Sequence, residues 1–371
     1  MNVFKSLFHL SQHTNLSSSL LKDLKKVSKT TKPSPPLSLY DQRFVSMIRE
    51  KTALHNRNNV TRTKAYLDFF KFNPDIHWAF LAHLVSRNAG WTMTDLKGEY
   101  LPHLLTPEQQ QSFFSFLERG NWLIFQDAYP QLLLYKESVL RKRPLFHLLP
   151  SLHVSSFMKV IWEDFWQNKN SEVLTASLII NEQHYIESRV IQTDHFKKSV
   201  FQTLAFQLQD VLNTNTLLFP MIEGDTVTLT GEAAHHFLYV KERIELGKRL
   251  YTRLFSNERN LNAIINWATL HPHTGSRKDY WSHLFNSVKE GKPLEKRIIK
   301  DCLLQKGPRI YSPSLTAWSD VTHKSPDRSD WYTNSNIIDL LNLPSPDLSG
   351  NVQKIHCHSL TLLEKINGFP T

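Results

Sequence analysis

The sequence DIHWAFLAHLVSRNAGW (residues 75–91) is apolar on nearly every side of a helix. Asn73 and Pro74 before it suit an N-cap followed by a first turn, and Gly90 is suited to end it. A helix that is apolar all round usually lies at the centre of a helical protein. The sequence therefore predicts a buried central helix in this segment.

The same segment carries two polar side chains, His83 and Arg87, which lie one turn apart on one face of the helix. Buried polar groups need partners, and we expect them among Asp95, Asp127 and Glu182. One interpretation is a buried polar network that fixes helix packing. The other is a pocket in which Arg87 holds an anion and His83, or Glu182, acts in catalysis.

Helical patterns continue across most of residues 41–311, which we predict to be a single all-helical body. A capping box at Thr106 with proline in the first turn predicts a helix that ends at Gly120. Asn121 can cap the next helix, and Pro130 should kink or split that one.

Two shorter features refine the prediction of an all-α fold. Gly247 lies on the apolar face of a helical segment, where it would let a neighbouring helix approach closely. The alternating stretch TVTLT (residues 226–230) is strand-like, but we expect it to be too short and isolated to form a sheet.

Both ends of the chain differ from the body. Residues 1–32 carry six lysines against one aspartate, and residues 1–40 are predicted to form a flexible basic N-terminal arm. Such an arm attracts phosphates or a membrane surface weakly and without selectivity. Residues 312–371 are rich in Ser, Pro, Asp and Asn, and we expect an irregular C-terminal tail.

The chain of 371 residues has two cysteines and 18 histidines. Two cysteines cannot build a disulfide framework or a cysteine zinc site, so we expect reduced thiols and a cytoplasmic protein. No apolar run approaches the ~18–20 residues of a membrane span. His356, Cys357 and His358 form the densest group of metal-capable side chains, but a fourth ligand is not evident, and we expect no metal and no cofactor.

The stretch LHPHTGSRKDYW (residues 270–281) predicts a corner between two helices. Pro272 ends the first helix, Gly275 permits a turn, and Ser276 with Asp279 resembles a capping box for the second. This structural interpretation leaves a concentration of polar and cationic groups unexplained. They predict an anion site at residues 271–279, with candidate ligands Arg87, His271, His273, Ser276 and Arg277.

Several segments carry a family resemblance: NVTRTKAYLDFF, HWAFLAHLVSRNAGWTMTDLKG, ERGNWLIFQDAYPQLLLY, ERIELGKRLYTRLF and HPHTGSRKDYW. Over about residues 55–310 the chain resembles the YppC-like proteins of Bacillus and related Firmicutes, an uncharacterised family. The resemblance implies a soluble bacterial protein of unknown function. It supplies no catalytic residues that could be transferred to this chain.

Three functions remain open at this point. The first is a binding or scaffold protein, with a small anion or another protein as its partner. The second is a hydrolase or phosphoryl-handling enzyme that uses a pocket of His83, Arg87, His271, His273 and Arg277. The third is non-specific association with nucleic acid, suggested by the net charge of +10. Whether the protein is an enzyme is therefore undecided.

Overall fold

The structure is a computed structural model, which describes residues 16–28, 36–207, 215–223, 226–291, 297–300, 302–345 and 352–367. Its longer helices are α1 (Ser18–Val27), α2 (Leu39–His55), α3 (Asn59–Phe72), α4 (His77–Asp95), α5 (Pro107–Leu140), α6 (Ser156–Asn168), α7 (Ser171–Ile186), α8 (Val240–Phe255), α9 (Glu258–Leu270) and α10 (Val352–Asn367).

Short helical turns connect them at Leu101–Leu104, Phe146–Leu152, Glu187–Ile191, Asp194–Phe196, Lys197–Phe201, Arg277–Asp279, Leu315–Ala317 and Asn336–Leu341. The strands are β1 (Thr216–Glu223), β2 (Thr226–Ala233), β3 (Phe285–Asn286), β4 (Ile298–Lys300), β5 (Leu303–Lys306) and β6 (Ile310–Tyr311). The protein is therefore largely helical, with three two-stranded sheets among the described residues.

Helix α4 is the central helix that its apolar sequence predicts. It packs against α3, α5, α7 and α8, and Trp78 and Phe80 are fully buried. Both predicted ends are wrong. Asn73 ends the preceding helix α3, where its side-chain amide donates to the carbonyl of Phe69, and α4 continues past Gly90 to Asp95.

Helix α5 begins with the predicted capping box, in which Thr106 and Gln109 bond each other's backbone. It does not end at Gly120, and it is assigned as one helix through Pro130 to Leu140. Buried side chains lie before Gly120, between Gly120 and Pro130, and after Pro130, as Phe116, Leu123 and Leu132 show. Tertiary packing along this face outweighs the local cost of the glycine and the proline.

The hairpin of β1 and β2 corrects the expectation that TVTLT forms no sheet. Thr228 pairs with Met221 in an antiparallel ladder. The hairpin is fixed to α4 by Asn88, whose amide accepts from the backbone nitrogen of Leu218 (2.8 Å) and donates to its carbonyl (3.0 Å). The Asn88 side chain thus provides one acceptor and one donor for the backbone of a strand that is distant in sequence. Local sequence patterns do not reveal such a contact.

The terminal segments contain more regular structure than their composition indicates. Within the N-terminal segment, α1 buries Leu20 and Leu24, while residues 1–15 and 29–35 lie outside the described part. Within the C-terminal segment, α10 carries His356, Cys357 and His358.

Cys357 forms a disulfide with Cys302, which corrects the expectation of reduced thiols. Spacing in sequence could not show that the two side chains meet in space. Among the residues described, no group of three or more His, Cys, Asp or Glu side chains could hold a metal ion. No helix in these ranges is long and apolar enough to cross a membrane.

The close approach predicted at Gly247 is confirmed. A Cβ atom added there would lie 2.8 Å from Cγ2 of Ile179 on α7, which is closer than two carbon atoms pack without displacement. The absence of a side chain at Gly247 therefore sets the spacing of α7 and α8.

We expect Gly247→Ala to destabilise the protein. Overpacking costs about 1–3 kcal/mol, more than the ~0.5–1 kcal/mol that alanine gains in a helix. The matched control is Gly120→Ala in α5, where an added Cβ meets no atom within 4 Å and the helix gain should appear alone. Urea unfolding measures both, and equal stability of the two variants would contradict the packing argument.

Candidate functional site

The corner at residues 270–281 contains one helical turn rather than a second helix. Gly275 has φ +89°, and Ser276 caps the short 3-10 turn Arg277–Asp279. Asp279 does not serve as a capping-box acid. Its carboxylate accepts from the backbone nitrogen (2.7 Å) and the hydroxyl (2.6 Å) of Thr274. The predicted second helix is therefore wrong. Ser276 caps only a short turn, and the Asp279 side chain bonds to Thr274 instead of serving as the second half of a capping box.

Arg87 joins α4 to this corner. Its residue surface is only 1% exposed, and Nη1 donates to the carbonyl of His271 (2.6 Å). The guanidinium carbon lies 4.3 Å from the ring centroid of Trp267, and Nη2 lies 4.0 Å from Oδ2 of Asp279. Burial lowers the pKa of Arg87 to about 10, and Asp279 opposes the shift, so the buried group stays charged at neutral pH.

His273 makes the second contact between the corner and the helices. Its Nε2 donates to Oδ1 of Asn59 (2.8 Å), and its Nδ1 lies 3.5 Å from Asp279. This contact crosses α4 at Gly90, where a Cβ atom would lie 2.5 Å from the histidine Nε2. Burial lowers the pKa of His273 to about 4, so this ring is neutral at pH 7.

Arg277 is held by Asp95 rather than facing solvent. Its Nε and Nη2 atoms lie 2.8 Å and 2.6 Å from Oδ2 of the carboxylate, and Nη1 donates to the hydroxyl of Tyr280 (3.0 Å). The Ser276 hydroxyl donates to the carbonyl of Ser312 (2.6 Å). An external anion would have to displace Asp95 from Arg277.

His271 and His83 are likewise engaged with the protein backbone. The Nδ1 of His271 donates to the carbonyl of Trp267 (2.9 Å), and that of His83 donates to the carbonyl of Thr63 (2.8 Å). Burial, and then the charge of Arg87, lower the pKa of His83 well below its usual value. His83 is thus a buried neutral ring, away from the cavity described next.

The expected partners of His83 and Arg87 are wrong in each case. Asp95 binds Arg277, and Asp127 accepts from the side-chain amide of Asn181 (2.6 Å). The third, Glu182, borders a cavity. The sequence offered these acids as candidate partners but could not assign which group each one meets.

A cavity of about 640 Å³ lies on the other side of α4. Ala82, Val85, Ala89 and Thr92 form one face of the helix and line it. Side chains from α3, α5, α8 and α10 complete a largely apolar wall, represented by Tyr66, Phe116, Ile124, Leu250 and Leu363. The small residues at helical spacing on α4 are the only signal of this cavity that we find in the sequence.

The charged groups of the cavity wall are mostly paired. Five wall residues, Arg62, Asp95, Glu99, Arg243 and Arg277, have a partner of opposite charge within the described structure. These pairs are Arg62 with Glu118, Arg243 with Glu187, Arg277 with Asp95, and Glu99 with Arg297. His356 from α10 also borders the cavity. Its Nε2 atom is buried and has no hydrogen-bond partner among the described residues.

Glu182 is the wall acid that differs. Its Oε2 accepts from Nε1 of Trp78 (3.2 Å) and its Oε1 from the side-chain amide of Gln183 (3.1 Å). These neutral donors are its hydrogen-bond partners among the described residues, where no salt bridge includes it. Burial raises the pKa of Glu182 to about 8, and Asp127 adds to the rise, while the two hydrogen bonds oppose it.

Comparison with known proteins identifies relatives without a known activity. Residues 54–343 match the model of a family described as protein of unknown function (DUF2515). The uncharacterized protein YppC of Bacillus subtilis (strain 168) is 45% identical over 238 residues, which are 64% of this chain and 73% of that protein. No solved structure matches the chain.

The raised pKa predicts how Glu182 changes stability with pH. Because the folded pKa is about 8 and the ordinary value 4.5, the folded protein holds a proton that the unfolded chain releases between these values. The contribution of Glu182 to the free energy of unfolding must therefore fall as pH rises through this window.

We expect the difference in unfolding free energy, wild type minus Glu182→Gln, to decrease steadily from about pH 5 to about pH 8. Urea unfolding of both proteins at several pH values measures it, and titrations common to both cancel in the difference. A constant difference over this range would contradict the assigned environment of Glu182.

Proposed function

The chain belongs to the DUF2515 family of proteins of unknown function, and we propose that it is a binding protein whose cavity beside α4 binds a mainly apolar small molecule. The cavity of about 640 Å³ carries this proposal. Small-molecule sites typically measure ~300–1,000 Å³ and combine apolar walls with a few polar groups. Removal of an apolar ligand from water supplies the driving force.

The arrangement of the corner favours binding over catalysis. Arg87, His271, His273 and Arg277 are each hydrogen-bonded to other protein groups. Of the five residues in the hypothetical His/Arg pocket, only Arg277 borders the cavity. The corner therefore acts as a structural junction, and we place ligand binding in the cavity.

We expect the uncharged dye Nile red to bind with one site per chain and with increased fluorescence. Val85→Phe adds volume on the α4 face that lines the cavity and should weaken binding at least tenfold. Val139→Phe makes the same change at an exposed position of α5 and should leave binding unchanged. Fluorescence titration measures all three proteins, with circular dichroism to verify folding.

Equal affinity of the three proteins would place the dye on the surface and contradict the proposal. No saturable binding to the wild type would contradict it as well.

The sequence-based expectation of a cytoplasmic location rests on the low number of cysteines. The Cys302–Cys357 disulfide opposes it, because disulfides persist mainly in oxidising compartments. Alkylation of thiols in acid-quenched cells, followed by a non-reducing gel, measures the oxidation state. We expect the disulfide in most chains, and a majority of free thiols in growing cells would instead support the cytoplasmic location.

A further inference from the structure

The cavity wall has an uneven balance of charge. The three arginines that border it are neutralised by acids: Arg62 by Glu118, Arg243 by Glu187 and Arg277 by Asp95. Of the acids in the described part of the wall, Glu182 alone has no cationic partner there. A ligand that enters the cavity therefore meets one carboxyl group, Glu182, that has no cation of the described wall beside it.

Glu182 is also held in a fixed orientation. Trp78 and Gln183 each donate to one of its oxygens, and Arg243 in turn donates from Nε to the side-chain oxygen of Gln183 (2.8 Å). Arg243 is separated from the carboxyl group by this amide, and its own charge is matched by Glu187. The network positions Glu182 and still leaves lone pairs on its oxygens for a ligand.

We propose that the ligand is an apolar molecule with one basic nitrogen, bound as an ammonium ion against Glu182 with its apolar body in the cavity. This inference rests on the proposed binding function of the same cavity. The ammonium group supplies the missing positive charge and up to three hydrogen-bond donors. The apolar walls accommodate the remainder of the molecule.

Other ligand classes fit this wall less well. A carboxylate would bring an uncompensated negative charge into the cavity, because the arginines that could balance it are already paired. A buried charge without a partner is strongly unfavourable. An alcohol can hydrogen-bond to Glu182 but brings no charge, so it gains less from the site than an amine of the same size.

Binding of the amine is coupled to a proton. The empty site holds Glu182 largely as the neutral acid below about pH 8. The amine enters as an ammonium ion, and Glu182 then loses its proton to the solvent when the ion pair forms. No covalent bond is made or broken in the ligand, and one proton is released per molecule bound.

The test uses decylamine, decanol and decanoate, which share an alkyl chain and differ in the polar group. Each displaces Nile red from the wild type and from Glu182→Gln at pH 7, below its micelle-forming concentration. We expect decylamine to bind the wild type at least tenfold more tightly than decanol, and decanoate to bind most weakly. In Glu182→Gln this preference for the amine should disappear, while decanol affinity changes little.

A calorimetric measurement separates an ion pair from a merely structural role of Glu182. Titration of decylamine in two buffers with different ionisation enthalpies gives the number of protons released. We expect the wild type to release protons at pH 7 and Glu182→Gln to release none. If Glu182→Gln does not fold, the wild type alone provides the test, because its affinity for decylamine should increase from about pH 6 to about pH 8.

The outcomes distinguish the two proposals. If Nile red does not bind, the proposed function fails and the ligand class fails with it. If Nile red binds but decylamine and decanol compete equally, or no proton is released, the amine proposal is overturned while the cavity remains a binding site. Tighter binding of decanoate than of decylamine would also overturn it.

Discussion

The burial of the Arg87 guanidinium is the constraint on which the structure depends. A charged group in the interior is tolerated only when partners replace the water that it loses. Here the partners are a backbone carbonyl of His271, the face of Trp267 and the carboxylate of Asp279. All three follow α8 in the chain, so the burial of this charge on the central helix depends on contacts with α9 and the corner after it.

The two faces of α4 have different uses. His83 and Arg87 face the packed side, where each donates one hydrogen bond to a backbone carbonyl. Ala82, Val85 and Ala89 face the cavity, where short side chains leave space unfilled. Helix α4 thus joins the corner on one face and borders the proposed binding site on the other.

Much of the fold follows from sequence patterns, where the relevant interactions are local. The burial of α4, the capping box at Thr106 and the glycine contact at Gly247 each depend on residues close in sequence or on one helical face. The errors have a common physical origin. Asn73 and Asp279 each have a local pattern that suits a helix start, but each side chain bonds to a residue that precedes it, Phe69 and Thr274, instead of capping a following helix.

The candidate site was harder to predict because its interactions join distant parts of the chain. The sequence indicated Glu182 as a partner of His83 and Arg87 or as a catalytic group, but the lack of a cationic partner is a property of the assembled wall. The corner shows the opposite case. Its cationic residues suggested an anion site, yet Asp95 reaches Arg277 from a position 182 residues away. Ion pairs between residues that are distant in sequence therefore decide which charged side chains remain available to a ligand.

The Cys302–Cys357 disulfide has a topological consequence. It closes the chain between these residues into a covalent ring, and helix α10, which borders the cavity through His356 and Leu363, begins inside this ring. A single proteolytic cut between the two cysteines opens the ring without releasing α10. The far wall of the cavity therefore remains tethered in a nicked molecule until a reductant breaks the disulfide.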